Sequence, residues 1–251
     1  MPESVMILDV RVDAVDKAHL LEEIAKRIEA GSREYLANVN INAINIAQQD
    51  DSFRRILNNS PVVYCDGEGV RLGARLLGVT LPPRIVLTYW IWELCAFAAD
   101  KGYSIFLLGG SRGAAEEAGA TMKRKFPSIK IVGTHHGYFD KVGEESDRVV
   151  DMIAAARPNI LFVCFGMPLQ EHWSCRNLQR LAANVVLFGG STIEYASGRK
   201  KLAPAWMSRH GMEWFYRLLQ EPRRLWRRYL IGNPLFLLKV LMQLLRDGRQ
   251  R

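Results

Sequence analysis

Apolar and polar positions alternate along this chain in two rhythms. Short, nearly continuous apolar runs read as buried strands, and apolar residues three or four apart read as helices. "SVMILDVRVDAV" predicts an early strand pair or hairpin, and "DKAHLLEEIAKRIEAG" a helix stopped by its Gly. "EYLANVN" is a short strand ending in asparagines, "INAINIAQQDDSFRRILNNS" a helical pattern, "PVVYCDGEGV" a strand closing on Asp-Gly and "RLGARLLG" helical again. "YSIFLLGGS" is a strand feeding the helix "RGAAEEAGATMKRKFP". "IKIVGTHHGYF" is strand then loop, "EESDRVVDMIAAARP" a helix, and "NILFVCFGMP" and "NVVLFGGS" are the last strands. Strands so uniformly apolar, alternating with helices, predict an α/β fold with a parallel sheet covered on both faces. The body is expected to span residues 1–200 and a separate tail 201–251.

The polar punctuation shares one position. "NVN", "CDGEG", "LLGGS", "THHGYF", "FGMPLQE" and "FGGSTIE" each follow a strand. Ligands of open α/β sheets bind outside the carboxyl ends of the strands. Any one of these loops is ordinary turn chemistry; six at one sheet edge point to a site. Asp66, at the end of a buried strand, is a candidate general base. "LLGGSRGAAEEAG", with Gly109, has the look of a phosphate turn but lacks GxGxxG spacing and the Walker lysine. "FGMPLQEHW" sets Gln170 and Glu171 at a strand mouth, with Trp173 expected to pack in the core behind them. The adjacent His135 and His136 are expected to point apart on a strand, with no third metal ligand near.

Charge changes the picture at one end only. Residues 199–251 hold thirteen Lys/Arg against three Asp/Glu, a net of +10, while residues 1–198 sum to −2. A localised basic end implies a localised anionic partner. In the tail, Arg217, Arg223, Arg224, Arg227 and Arg228 are interleaved with Trp214, Phe215, Tyr216, Trp226 and Tyr229. Arginine forks grip phosphates, and aromatics favour membrane interfaces. Asn233 and Pro234 read as the N-cap and first turn of a last helix. In that helix Lys239, Gln243 and Arg246 form a narrow polar stripe, and the wide apolar remainder either packs on the body or lies in a membrane interface. No apolar run reaches the ~18 residues of a spanning helix. The near-neutral body offers no extended groove for nucleic acid. Cys65, Cys95, Cys164 and Cys175 form no CxxC pair, which argues against a disulfide framework or metal site and for a reducing cytoplasm. The N-terminus, acidic and without a long apolar stretch, predicts no export signal.

Several stretches together resemble the WecG/TagA/CpsF glycosyltransferases along nearly the whole chain: "NVNINAINIAQQD", "CDGEGV", "LLGG", "GYF", "FGMPLQEHW", "FGGSTIEYASGRKKLAPAW" and "GMEWFYRLLQEPRRLWRRY". The resemblance implies a Rossmann-like body with a membrane-touching C-terminal appendage. It implies inverting, metal-independent transfer of a sugar from a UDP-sugar to a polyprenyl-diphosphate-linked saccharide, in bacterial cell-surface or exopolysaccharide synthesis. No cofactor is implied, and the place of action is the cytoplasmic face of the membrane. Asp66 stands at the family's base, Asn40 at its loop asparagine, and Asn38 where the family often has threonine. Gly109, Gly137, Tyr138, Phe139, Gln170, Glu171, Gly190 and Glu194 match nucleotide-sugar motifs. Arg217, Arg224 and Arg228 are implied as diphosphate contacts. Tyr89 replaces a family acid after Arg84. Two rival readings are a dinucleotide oxidoreductase, which lacks its GxGxxG turn here, and a non-catalytic nucleotide-binding or membrane-surface adaptor, which gives no reason for Asp66, Gln170 and Glu171 to gather.

Overall fold

A computed structural model describes residues 3–204, 206–207 and 211–248. Six parallel strands form one sheet: β3 (Glu34–Val39), β4 (Val63–Cys65), β5 (Ser104–Gly109), β6 (Lys130–His135), β7 (Ile160–Cys164) and β8 (Val185–Phe188). Their order across the sheet is β4-β3-β8-β7-β5-β6. An antiparallel hairpin, β1 (Ser4–Ile7) with β2 (Val10–Asp13), stands apart from the sheet and leans on β4, where Asp13 Oδ2 accepts from the Val63 N–H at 2.8 Å.

Strand alternation divides the core in two. Leu36, Ile105, Leu107, Ile160, Phe162, Val185 and Leu187 face α1 (Lys17–Glu29), α5 (Leu87–Lys101), α6 (Ala114–Lys125) and α9 (Thr192–Ala196). The intervening residues Ala37, Val39, Phe106, Leu108, Leu161, Val163, Val186 and Phe188 face the other side. There they meet α2 (Ile41–Ala47), α3 (Asp51–Asn59), α4 (Glu68–Leu76), α7 (Glu144–Ala156) and α8 (Leu169–Asn177). With both faces covered, the central strands β5, β7 and β8 are apolar almost throughout, the α/β pattern the sequence predicts.

Three details depart from expectation. The single helical pattern after β3 is two helices, because Asp50 caps α3 by accepting from the Phe53 N–H at 2.9 Å. Helix α5 fills a stretch where periodicity assigned nothing: it is apolar on most sides and holds Trp90, Leu94 and Cys95 in the core, so it shows no polar stripe. Asn233 and Pro234 do not begin the last helix. The chain is helical through Pro222–Trp226, a π turn at Arg227–Ile231 and Gly232–Gly248 without a break. Pro234 cannot donate to the Leu230 carbonyl four residues back, and the wider turn before it absorbs that loss.

The tail lies against the body. Phe236 and Val240 are fully buried over α4, where a Cβ on Gly73 would come within 2.9 Å of the Phe236 ring. Gln243 accepts from the Leu8 N–H at 2.9 Å and donates to the Met6 carbonyl at 3.0 Å. The opposite face, Leu235, Leu238, Leu241, Met242 and Leu245, is exposed.

Candidate active site

The carboxyl ends of all six strands open into one cleft of about 680 Å³, and the tail forms its far wall. Asn38 lies on β3 with its Nδ2 donating to the Phe188 carbonyl of β8 at 3.0 Å. Its Oδ1 has no hydrogen-bond partner among the described residues. Asn40 caps α2 through the Ala43 N–H at 3.1 Å, which leaves its Nδ2 directed at Asp66 Oδ2 at 3.4 Å. Asp66 leaves the end of β4, its own N–H bonded to the Val39 carbonyl at 2.8 Å. Burial pushes the Asp66 carboxyl up to about 6; Arg217 pulls it down, and Glu213 pushes it further up. A carboxylate so placed is a stronger base than one in water and is still ionised at neutral pH.

The cations come from the tail. Arg217 pairs with Glu213, which also binds Arg84 at 3.4 Å. Although burial opposes its charge, Glu213 holds Arg217 above the usual arginine range. Arg224 pairs with Glu221, which binds Lys200 through the other oxygen at 2.6 Å. Arg228 makes no ion pair among the described residues and stacks only on Tyr229, 5.4 Å from the ring centre. Burial, with Arg217 and Arg224 nearby, depresses its pKa. A guanidinium held there among its own kind is electrostatically incomplete without an anion.

Gly137, Tyr138, Phe139, Gly190 and Glu194 line the opposite wall. Tyr138 stands exposed at the rim, while Phe139 packs edge-on against Phe165 and Trp173. Lys141 fastens this loop: its ammonium donates to the Gly137 and Phe139 carbonyls at 2.7 and 2.6 Å and lies 3.7 Å over the Phe139 ring. Glu194 accepts from the Ser111 N–H at 2.6 Å. That carboxylate fills the mouth of the turn before α6, whose glycine pattern only resembles a phosphate turn.

Three predicted residues lie beneath the cleft rather than on its surface. Gly109, at φ +137°, allows β5 to pass β7 closely; a Cβ there would sit 2.4 Å from the Cys164 carbonyl oxygen. Gln170 is fully buried, its Oε1 accepting from the Gly166 and Gly190 N–H groups, both at 3.1 Å. Its Nε2 donates to Glu171 Oε1 at 2.8 Å. This staple holds the loops after β7 and β8 together. Burial raises the Glu171 carboxyl to about 7. Trp173 is core, as expected, with Nε1 bonded to Ser146 at 2.8 Å, and His172 pairs with Asp50 at 2.9 Å. Tyr89 turns away, its hydroxyl 3.5 Å from the Ala203 carbonyl. The His135 and His136 rings do not point apart: β6 ends at His135, strand alternation ends with it, and the ring centres are 4.4 Å apart. Among the described residues no group of three His, Cys, Asp or Glu could hold a metal ion. Ala205, in the quoted "KKLAPAW", lies outside the described residues.

Sequence reasoning missed Lys141, Lys200, Glu213 and Glu221. Only the carboxylates left a signal, each standing three or four residues before a tail arginine.

The chain is 32% identical over 209 residues, 83% of its length and 79% of the other's, to an N-acetylglucosaminyldiphosphoundecaprenol N-acetyl-beta-D-mannosaminyltransferase of Bacillus subtilis strain 168. It is 27% identical over 236 residues, 93% of its length and 91% of the other's, to the protein of the same name in Staphylococcus aureus strain MW2. Residues 5–250 match the family model described as Glycosyl transferase WecG/TagA/CpsF family. With the match running through both the strand-end loops and the arginine tail, the chain belongs to the WecG/TagA/CpsF family of glycosyltransferases.

Proposed function

We propose that this enzyme inverts the anomeric centre of a UDP-sugar as it transfers the sugar to a polyprenyl-diphosphate-linked saccharide at the inner face of the bacterial membrane. The observation that carries the reading is Asp66, a carboxyl pushed up to about 6 within a cleft walled by Arg217, Arg224 and Arg228. Asp66 takes the proton of the acceptor hydroxyl, and that oxygen attacks the anomeric carbon. The bond from that carbon to the diphosphate breaks on the opposite face, and UDP leaves with the electron pair. Asn40 aims Asp66. The tail arginines supply the positive charge that the leaving diphosphate needs. Gly137, Tyr138, Phe139, Gly190 and Glu194 hold the nucleotide, and Gln170 and Glu171 act one layer below by fixing the loops.

The relatives are named for an N-acetyl-β-D-mannosaminyl donor group and an N-acetylglucosaminyl-diphosphoundecaprenol acceptor. An N-acetylhexosamine is therefore the first donor to test. Surface polymer synthesis, with exopolysaccharide as one product class, is the setting this chemistry fits. The exposed leucine face of the Gly232–Gly248 helix supports docking on an anionic membrane surface, since no described helix is long and apolar enough to cross one.

The direct test is Asp66→Asn. Transfer falls at least a thousandfold, while UDP still raises the thermal midpoint of the variant as it does for the wild type. Turnover within tenfold of wild type removes Asp66 from the mechanism.

A further inference from the structure

The residues that line the cleft divide by depth. Every charged one, including Asp66, Glu194 and the tail arginines, is at least partly exposed. The buried ones, among them Leu87, Thr88, Phe188, Thr192 and Ile193, carry no charge. Asn38 lies on this neutral floor at 3% exposure, and its Oδ1 is left without a hydrogen-bond partner among the described residues. The amide cannot be turned round. Its Nδ2 donates to the Phe188 carbonyl at 3.0 Å, where an oxygen would be repelled. Tyr64 stands beside Asn38 in the β3–β4 register. Burial and then Asp66 raise the Tyr64 hydroxyl well above its usual range, while the Asn38 amide opposes them, as an N–H turned toward the hydroxyl does and a carbonyl does not. With the nitrogen end committed to the protein on both sides, Oδ1 is the free valence of the floor.

The same register sets its depth. Asn38 pairs with Tyr64, so two residues on Asn40 stands beside Asp66, and their side chains meet at 3.4 Å. Asn38 is therefore one same-face step, about 6.6 Å, below the base. That step is the span of a sugar ring and a substituent, and is too long for the bonds that form and break at the anomeric carbon. An amide also neither gives nor takes a proton at neutral pH. With Asp66 beside the anomeric carbon and the arginines on the diphosphate, the sugar lies over Asn38. We propose that Asn38 reads the donor sugar, its Oδ1 accepting a hydrogen bond from a ring hydroxyl or amide N–H, and that this sugar is uncharged. A buried acceptor left unpaired is costly, so a sugar that brings no donor to Oδ1 is rejected. A uronate would bring a carboxylate to a floor that holds no cation among the described residues and already carries an unpaired oxygen.

This inference rests on the UDP-sugar reading above, and the experiment separates the two. Dissociation constants are measured on the full chain for UDP, UDP-glucose, UDP-N-acetylglucosamine, UDP-N-acetylmannosamine and UDP-glucuronate. In the wild type the best neutral UDP-sugar binds at least tenfold tighter than UDP-glucuronate. Asn38→Leu keeps the size of the side chain and removes the acceptor. It weakens that neutral UDP-sugar at least tenfold and changes UDP less than twofold, and the retained UDP binding shows that the variant is folded. Where Asn38→Leu does not fold, the wild-type ratio of neutral sugar to glucuronate decides. In transfer assays Asn38→Leu raises the KM for donor more than it lowers kcat. UDP-glucuronate binding as tightly as the best neutral sugar overturns the uncharged donor. Undiminished affinity of the folded variant for the neutral UDP-sugar, an equal loss for UDP, or a fall in kcat alone overturns Asn38 as its reader. A wild-type protein that binds no UDP compound overturns the donor reading first, and this inference with it.

Discussion

Asp66 is a carboxyl whose basicity is set by its neighbours more than by its own chemistry. Burial and Glu213 hold its proton more tightly, and Arg217, Asn40 and Arg84 loosen it. Only the ionised form accepts a proton, so kcat/KM should climb with pH through about 6 and level off above. Glu213→Gln removes the one anion pushing upward and releases Arg217 and Arg84 to act on Asp66. The midpoint of the acid limb should then move below that of wild type, and an unmoved midpoint means that Glu213 does not tune the base. Glu171 carries the opposite lesson. Buried, with one oxygen unbonded among the described residues, it keeps its proton up to about 7, whereas an unfolded chain releases it near 4.5. The folded state therefore binds more protons across that window, and stability falls as pH rises through it by about 3 kcal/mol. Glu171→Gln imitates the protonated acid, so its thermal midpoint should exceed that of wild type above pH 7 and match it near pH 5.

At the scale of elements, the C-terminal helix does two jobs that its sequence states only as one wide apolar face. Phe236 and Val240 fill the space left by Gly73 on α4, and Gln243 grips the turn between β1 and β2. That turn holds Leu8 and Asp9 at positive φ, an uncommon state for a leucine, and Gln243 is one of the groups that keep it there. Phe236→Ala should cost about 3–5 kcal/mol in chemical denaturation. The same change should lower transfer more than it lowers UDP binding, because the helix it anchors follows directly on the segment carrying Arg224 and Arg228. Equal stability in the variant would place the helix off the body in solution. Helix α5 was illegible for the converse reason: a helix buried on most sides has no polar stripe to set its period apart from that of a strand.

For the whole molecule, the tail is one wall of the cleft and carries an outward leucine face. Leu238, Leu241 and Leu245 recur at spacings that put them on one exposed side of the helix. Changing all three to Glu should abolish sedimentation with anionic phospholipid vesicles and leave the UDP thermal shift untouched. Vesicle binding that survives the triple change would move the membrane contact to another surface. The wild-type interaction should weaken as salt rises, since part of it is charge.

The sequence by itself determined the α/β alternation, the gathering of polar loops at the strand ends, Asp66 as the base candidate and the basic tail. Each of these is local: apolar runs, turn residues and charge counts need no partner from elsewhere in the chain. Which residues face the cleft was decided by the tertiary structure alone. Gln170 and Glu171 read as ligand contacts because they follow a strand, yet the first turn of α8 points them inward, where two glycine N–H groups need an acceptor. Glu194 reached across to Ser111, and Glu213 and Glu221 became the counter-ions of the arginines, through pairings up to 129 residues apart in the chain. Beyond the i,i+4 and i,i+3 spacing of Glu213 with Arg217 and Glu221 with Arg224, linear spacing carries no trace of such contacts, because the sheet order β4-β3-β8-β7-β5-β6 brings distant loops side by side.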